Sequence, residues 1–380
     1  MMKSPLRFDR NEVSGAFGDI GTDLPLITGM ILASGLDSAS VLVVFGVAQM
    51  FSALVYRMPM AVQPLKAVAA LVIAERLSGN LIFGAGLAIG LTMLFLTFTG
   101  LIDWLGRVLP KAVIRGIQFG LGAKLSLLAL QNYVQADGSS GFLLAGISFV
   151  IIIFLMGNRR YPPALFLIIL GILYALIFRI DLQVIPQSLG FSFPTFFVPQ
   201  LDDIWQGFLL LALPQVPLSL GNSIYATNQI ANDLFPEKKV TVKKIGLTYS
   251  LMNLIVPFFS GIPVCHGSGG LAGHYAFGGR TGGSVFIYGG MFLIIGLFFS
   301  NGFSELIHFF PLPVLGVILF FEGLTLMRFI GDTVGSKSDF SIALIVGLIA
   351  AGLPYGFLVG IVLGTIMYYI NQRFRLGIGK

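Results

Sequence analysis

Apolar runs long enough to cross a lipid bilayer recur from Val13 almost to the C-terminus of this 380-residue chain. A membrane helix needs about 20 predominantly apolar residues to span roughly 30 Å of hydrocarbon. Hydrophobic residues make up 56% of the sequence and charged residues only 11%, whereas an average soluble protein carries about 25% charged residues. The sequence therefore predicts an all-α polytopic membrane protein.

Polar residues, prolines and glycines divide the apolar sequence into 14 predicted membrane segments. Seven fall in residues 1–180 and seven in residues 205–380, and these two ranges are predicted to be repeats of opposite membrane topology. No soluble C-terminal regulatory domain is expected. The segments lie near residues 14–34, 38–56, 59–76, 82–100, 106–131, 141–157, 162–179, 205–230, 241–258, 264–279, 284–301, 312–329, 339–353 and 354–372.

The basic residues are distributed unevenly around these segments. With the N-terminus inside, 19 of the 23 Lys and Arg residues fall at cytoplasmic ends, as the positive-inside rule requires. We therefore predict a multi-pass protein of the cytoplasmic membrane with both termini in the cytoplasm. The net charge of +6 follows from this asymmetry, so it indicates contact with lipid headgroups and gives no reason to expect a nucleic-acid partner.

Two pairs of short motifs recur in the same order in the two halves. "DLPLITG" (Asp23–Gly29) precedes "MPMAVQP" (Met58–Pro64) in the first half, and "QVPLSLG" (Gln215–Gly221) precedes "IPVCHGS" (Ile262–Ser268) in the second. Many secondary transporters are inverted repeats whose broken helices meet near the membrane midplane. The second motif of each pair predicts a short extended segment that enters the membrane and turns into a half-helix. Because irregular backbone at this depth needs surrounding protein or a water-filled cavity, the two elements together indicate a binding site.

The half-helices are predicted to start near Pro64 and Gly267, with both N-termini facing one cavity. Free N–H groups and the positive end of a helix dipole attract anions, so a small oxyanion is the expected substrate. Lys66 would add a positive charge, although it would alternatively snorkel or pair with an aspartate. The candidate substrate-binding residues are Gln63, Lys66, Gln215, Asn222, His266, Gly267, Ser268 and Gly269.

Three acidic residues are candidates for coupling or gating. Asp19 and Asp23 lie four residues apart in "FGDIGTD" and so share one helix face, while Glu322 is a lone acid in a late segment. Carboxylates beside an anion site oppose binding unless Lys66, a cation or protons neutralise them. Protonation of these carboxylates is therefore expected to favour binding of the anion. Alternatively, each acid has a purely structural role, as a helix cap or in a hydrogen bond. Gln215 and Asn222 would alternatively form hydrogen bonds to a neighbouring helix.

Enzymatic functions are not indicated. The three His and one Cys have no metal-ligand spacing, and the glycine-rich stretch Gly267–Gly273 lacks the Gly-Lys-Ser/Thr of a nucleotide-binding loop. We predict no enzyme, no catalytic residue, no metal and no cofactor, with transport either passive or driven by an ion gradient.

Four segments resemble those of the molybdate transporter family, a branch of the sulfate permease superfamily: "FGDIGTDLPL", "MAVQPLKAVAA", "ALPQVPLSLGNSI" and "CHGSGGLAGHYAFGGRTG". The resemblance implies a seven-plus-seven inverted-repeat fold similar to that of uracil permease. A core (gate) domain of segments 1–4 and 8–11 would move against a scaffold domain of segments 5–7 and 12–14. The oxyanion would lie between the third and tenth helices, held by Gln63, Lys66 and residues 266–269, and a homodimer is plausible by the same resemblance.

The expected function is import of molybdate by alternating access, coupled to protons. Sulfate and tungstate are close alternatives, because all three are tetrahedral dianions that backbone donors alone discriminate poorly. A nucleobase–cation symporter of the same fold and a passive anion channel are further alternatives. A membrane receptor is disfavoured because no sizeable soluble output domain is visible in the sequence.

Overall fold

The computed structural model describes residues 6–155, 163–179 and 189–374, and most of these residues are helical. Two shorter apolar helices, Phe166–Phe178 and Gly283–Phe298, accompany seven helical stretches that are long and apolar enough to cross a membrane. The seven are Arg10–Ser34, Ser38–Tyr56, Gly79–Thr99, Lys111–Tyr133, Gly138–Leu155, Leu201–Leu234 and Leu312–Thr333. The predicted helical membrane fold is confirmed, while the count of fourteen crossings stays a prediction.

The first half of the chain contains nine α-helices and strand β1 (Val62–Pro64) within the described residues. A π-helical turn, Ala129–Tyr133, continues the seventh helix. The helices are α1 (Arg10–Ala16), α2 (Ile20–Ser34), α3 (Ser38–Tyr56), α4 (Lys66–Glu75), α5 (Gly79–Thr99), α6 (Leu101–Val108), α7 (Lys111–Leu128), α8 (Gly138–Leu155) and α9 (Pro163–Phe178).

The second half contains strand β2 (Val264–His266) and ten α-helices within the described residues. The π-helical segments Phe208–Ala212 and Ser219–Ala226 join the first three helices into one stretch, and 3₁₀ turns Val256–Phe259 and Phe329–Thr333 extend two others. The helices are α10 (Leu201–Gly207), α11 (Leu213–Leu218), α12 (Thr227–Leu234), α13 (Val242–Ile255), α14 (Ser268–Ala276), α15 (Gly283–Phe298), α16 (Ser300–Phe309), α17 (Leu312–Arg328), α18 (Lys337–Gly352) and α19 (Gly356–Phe374).

All fourteen predicted segments overlap helices or strand–helix units, but two short helices were not predicted. These are α6, "LIDWLGRV", and α16, "SNGFSELIHF". Each carries too many polar residues to stand out as an apolar run and packs beside longer helices, α6 against α5 and α16 against α3. Hydropathy alone therefore detects the crossing segments and overlooks the short amphipathic connections.

The two strands meet inside the protein and confirm the predicted extended segments. β1 and β2 pair antiparallel, with Val62 opposite His266, Gln63 opposite Cys265 and Pro64 opposite Val264. Their chains therefore lead into α4 and α14 in opposite directions from one point. Because strand side chains alternate between faces, Gln63 and Cys265 share one face of the ribbon.

The two half-helices start at slightly different places relative to the prediction. Helix α14 starts at Ser268 with Gly267 as its N-cap, as expected. Helix α4 starts at Lys66, two residues beyond the predicted start at Pro64, because Pro64 belongs to β1 and Leu65 is still extended, with φ −65° and ψ 111°. Proline lacks an N–H group, and an edge strand tolerates that loss.

Helices of the two halves pack reciprocally around the strands. Helix α3, which precedes β1, packs along α15, which follows half-helix α14. In the same way, α13, which precedes β2, packs along α5, which follows half-helix α4. Helix α7 packs on α17 and α18 and also contacts α4. This pairing is what two inverted repeats would produce, although the division into core and scaffold domains stays a prediction.

The contact between α3 and α15 depends on a close backbone approach that can be tested. A Cβ atom added at Gly289 would lie 2.6 Å from the carbonyl oxygen of Gly46, whereas one added at neighbouring Gly290 would meet nothing within 4 Å. We expect Gly289→Leu to lower stability by about 1–3 kcal/mol and Gly290→Leu to be nearly neutral. Thermal unfolding of the purified proteins in detergent measures this, and equal melting temperatures for the two variants would contradict the contact.

Candidate functional site

The centre of the candidate site is a buried pair formed by Gln63 and Asp19. The amide nitrogen of Gln63 donates to both carboxylate oxygens of Asp19, at 2.7 and 2.9 Å. Asp19 is the N-cap residue of α2, and Gln63 is the middle residue of β1. The other amide atom of Gln63, Oε1, has no hydrogen-bond partner among the described residues. The pair joins the first membrane helix to the strand ribbon and leaves one buried acceptor free.

Two glycines allow this pair to lie directly against the first turn of α14. A Cβ atom at Gly267 would overlap the Gln63 amide, and one at Gly270 would overlap the Asp19 carboxylate. Gly269, between them, is exposed, and an added Cβ atom there would meet nothing within 4 Å. The first turn of α14 is thus covered by polar side chains on one side and open on the other.

The two half-helix starts are not equivalent. The Oε1 atom of Gln215 accepts hydrogen bonds from the N–H groups of Ala67 and Val68, at 2.9 and 3.3 Å, and so caps α4. Its Nε2 atom donates to Ser219 at 3.0 Å. Helix α14 has no side-chain cap from Gly267. Gln215, predicted to bind substrate, therefore serves α4 in this structure, while the start of α14 keeps its open edge at Gly269.

Ser268 and Asn222 meet at the start of α14. The hydroxyl of Ser268 donates to Oδ1 of Asn222 at 2.8 Å, and the backbone carbonyl of Asn222 accepts from Thr227 at 3.1 Å. Asn222 lies in the π-helical segment between α11 and α12 and is partly exposed. The structure therefore brings both predicted residues to the same half-helix end as Gly269.

His266 has a different orientation from the rest of the predicted set. Its Nε2 atom lies 2.7 Å from the hydroxyl of Thr248, and its ring contacts the Tyr56 ring edge-on, with centroids 5.2 Å apart. Strand alternation places Cys265 rather than His266 on the face that carries Gln63, and Cys265 hydrogen-bonds Ser223 there. The imidazole thus fastens β2 to α13 and α3.

Lys66 and the three candidate acids lie close enough to interact electrostatically. Lys66, the first residue of α4, acts on Asp19, Asp23 and Glu322, and it is partly exposed. None of the salt bridges among the described residues involves Lys66. Its ammonium group is therefore held near three carboxylates without a direct ion pair to any of them.

Asp23 and Glu322 each have a polar contact with a different helix. Asp23 accepts a hydrogen bond from the hydroxyl of Tyr288 in α15 at 3.2 Å, while its other oxygen has no partner among the described residues. Glu322 of α17 hydrogen-bonds Thr22 of α2. The acids therefore connect α2 to α15 on one side and to α17 on the other.

Two amide side chains that hold the strands were missed by the sequence analysis. Gln49 of α3 donates to the carbonyl of Val62 at 2.7 Å and accepts from its N–H at 2.9 Å. Asn253 of α13 makes the same two bonds to Val264, at 2.6 and 2.9 Å. The sequence does contain a signal for them, because each is a single amide in an apolar run. Gln49 lies 13 residues before Val62, and Asn253 lies 11 residues before Val264.

The arrangement as a whole combines an open helix N-terminus, a group of carboxylates and a lysine that forms no ion pair within the part of the chain that the structure describes. The backbone and Lys66 suit a small anion, and the carboxylates suit protons or a cation. This is the composition expected at the midplane of a secondary transporter with discontinuous helices.

Comparison with known proteins agrees with this class. The sequence pattern of a family described as "Molybdate transporter of MFS superfamily" matches residues 11–125 and 207–326. The chain is 33% identical to molybdate transporter 2 of Arabidopsis thaliana, with 95% of this chain and 87% of the relative covered. The chain belongs to the molybdate transporter family, and it is therefore an anion transporter. The predicted family and the prediction that the protein is not an enzyme are confirmed.

Solved structures show the same fold. The transmembrane domain of the cyanobacterial bicarbonate transporter BicA matches with a TM-score of 0.67 at 18% identity, covering 96% of this chain and 98% of that one. The murine anion transporter Slc26a9, in its inward-facing state, matches with a TM-score of 0.74 at 12% identity, covering 98% and 70%. These similarities show that the chain shares the fold of these two transporters.

The open edge of α14 gives a direct test of the site. Gly269→Val fills the open space beside the first turn without meeting another atom, so we expect the fold to persist and oxyanion binding to be lost. Gly290→Val is the matched control, since it makes the same change in open space on α15. Calorimetric titration with molybdate measures both, and undiminished binding by the Gly269 variant would place the anion elsewhere.

Proposed function

We propose that this protein imports molybdate across the cytoplasmic membrane in symport with protons, by alternating access. The observation that carries the proposal is the uncovered first turn of α14 at Gly269, which lies in one site with Lys66, a cation without an ion pair among the described residues. The N–H groups of a helix start and a nearby ammonium are the donors that a small oxyanion needs.

Within this proposal the eight substrate-site residues have different tasks. Lys66, the Ser268 side chain and the backbone of Ser268 and Gly269 contact the anion, while Gly267, whose N–H donates to the carbonyl of Ala61 at 3.4 Å, precedes them as the N-cap. Gln63 and Asn222 border it through their bonds to Asp19 and Ser268. Gln215 and His266 act indirectly, because their side chains hold α4 and β2 in place.

The choice of molybdate follows from family membership and not from the geometry. The related Arabidopsis protein is named a molybdate transporter. Sulfate and tungstate are tetrahedral dianions of the same charge, and the donors at α14 would bind them too. Competition by these anions and by uracil in the calorimetric titration separates a selective molybdate carrier from a general oxyanion carrier or a nucleobase symporter.

Proton coupling is inferred from the charges around Lys66. Asp19, Asp23 and Glu322 outnumber that single cation, and a dianion entering beside three ionised carboxylates would be repelled. Protons taken up by these acids reduce the repulsion, so anion and protons bind best together. Reciprocal binding of this kind is what symport requires.

The moving parts that we propose are the two inverted repeats regrouped into a core and a scaffold. The core would hold segments 1–4 and 8–11, including both strands and half-helices, and the scaffold segments 5–7 and 12–14. The reciprocal packing of α3 on α15 and α5 on α13 supports this grouping, as does the packing of α7 on α17 and α18, while the contact of α7 with α4 would lie between the two domains. A salt bridge between Glu75 of α4 and Lys124 of α7 would then join the two domains.

Orientation and assembly are proposed on sequence grounds. The concentration of Lys and Arg at one set of helix ends supports cytoplasmic termini. A homodimer is proposed by family resemblance alone.

Replacement of Lys66 tests the anion site. Lys66→Ala removes the only positive side chain proposed to contact the anion, so we expect molybdate affinity to fall by roughly 30-fold or more. Lys243→Ala, at an exposed position at the start of α13, is the control and should leave the affinity unchanged. Calorimetry on the purified proteins measures both, and a normal affinity in the Lys66 variant would remove this residue from the site.

Replacement of Asp23 tests the coupling. In the wild type, a falling pH adds protons to the acids and should strengthen molybdate binding. Asp23→Asn is permanently neutral, so we expect tighter binding than wild type at high pH and a smaller change with pH. Calorimetric titration with molybdate over a pH series measures the affinities, and uptake into proteoliposomes over the same series measures the pH profile of transport, with exposed Asp202→Asn as control in both. An unchanged pH profile would exclude Asp23 from coupling.

A further inference from the structure

We propose that Gln49 and Asn253 are paired positioning residues that set the geometry of the anion site through the two strands. The inference rests on the proposed function, because it concerns the same site. It adds two residues that touch no substrate and that no sequence motif of the site contains.

The two side chains make the same contact in the two halves of the protein. Each amide binds both the N–H and the C=O of one strand residue, Val62 for Gln49 and Val264 for Asn253, at 2.6–2.9 Å. Gln49 and Asn253 are each 0% exposed. Two bonds to the N–H and C=O groups on either side of one Cα atom fix both the position of the strand and its rotation about its own axis.

The strands need such partners because of their depth in the protein. A three-residue strand in a two-stranded ribbon leaves backbone groups on its outer edge unpaired. Unpaired N–H and C=O groups are costly where water is absent, so irregular backbone persists there only if protein groups satisfy it. Gln49 and Asn253 occupy these outer edges, one on each side of the ribbon.

The clamped residues lie directly beside the site. Val62 precedes Gln63, whose amide binds Asp19. Val264 lies two residues before His266 and three before Gly267, the N-cap of α14. The ribbon register joins the two ends, because Val62 pairs with His266. A shift of either strand along its clamp therefore moves Gln63 relative to the first turn of α14.

The two clamps differ by one methylene group, which gives a way to move each strand without removing its bonds. Gln49→Asn shortens the first clamp and Asn253→Gln lengthens the second. Both variants keep an amide that can satisfy the valine backbone, so they displace the strand instead of leaving buried groups without partners.

The chain also offers a matched control for these changes. Asn232 of α12 binds both the N–H and the C=O of Val240, at 2.9 and 3.0 Å, in the connection between α12 and α13. Asn232→Gln is the same substitution at the same kind of clamp, on a segment that belongs to neither strand. It reports the effect of disturbing an amide clamp in general.

The experiment measures molybdate and sulfate binding by calorimetry, and the melting temperature, for the full-length wild type and the three variants in detergent. We expect the two strand variants to bind molybdate about tenfold or more weakly, because misplacement by about 1 Å disturbs a preorganised site. Their ratio of molybdate to sulfate affinity should also change. Asn232→Gln should lower the melting temperature without changing either affinity.

Hydrogen–deuterium exchange on the wild type keeps the inference testable if a strand variant does not fold. The N–H groups of Val62 and Val264 should exchange as slowly as those in the middle of α3. Fast exchange at these residues would show that the clamps are not formed and would overturn the inference. Unchanged affinities and unchanged selectivity in folded strand variants would overturn it too. Absence of molybdate binding by the wild type would instead overturn the proposed function itself.

Discussion

The need to satisfy backbone hydrogen bonds at membrane depth governs the rest of this structure. A binding site for a small anion at mid-membrane needs free N–H groups there, and those appear only where helices are interrupted. The protein interrupts two helices and pairs the resulting strands with each other, through Val62 and His266 at one end and Pro64 and Val264 at the other. Gln49 and Asn253 satisfy the outer edges. Among the described residues, the first turn of α14 keeps an open edge at Gly269.

The charge balance follows from this arrangement. Gln215 already occupies the first N–H groups of α4, so the backbone of α4 has little left to offer an anion. Lys66, at the first position of that helix, supplies a full charge in its place. In the proposed site, one half-helix would thus provide backbone donors and the other a side-chain cation. The two halves share their strand geometry but divide the chemistry.

The sequence predicted much of this fold because its signals are long and repetitive. Apolar runs located the helices, and the prolines in "MPMAVQP" and "IPVCHGS" located both extended segments. The orientation of side chains within the site was harder to predict from the sequence. His266 was predicted to face the substrate, yet a strand shows alternate residues to opposite faces, and the face was fixed only by pairing with Val62. Gln49 and Asn253 escaped notice because a single amide in an apolar helix has many uses, and only the fold shows which backbone it meets.

The group of carboxylates explains why such a site would be emptied as well as filled. In the proposed symport, Lys66 alone balances one of three nearby acids, so a bound dianion would be stable only while protons reduce the remaining negative charge. Loss of those protons on the side of lower proton concentration would restore the repulsion and expel the anion. The same carboxylates hydrogen-bond helices from different parts of the molecule, Asp23 to α15 and Glu322 to α2. Protonation would therefore change interhelical contacts together with anion affinity, which links loading of the site to the relative position of the helices that enclose it.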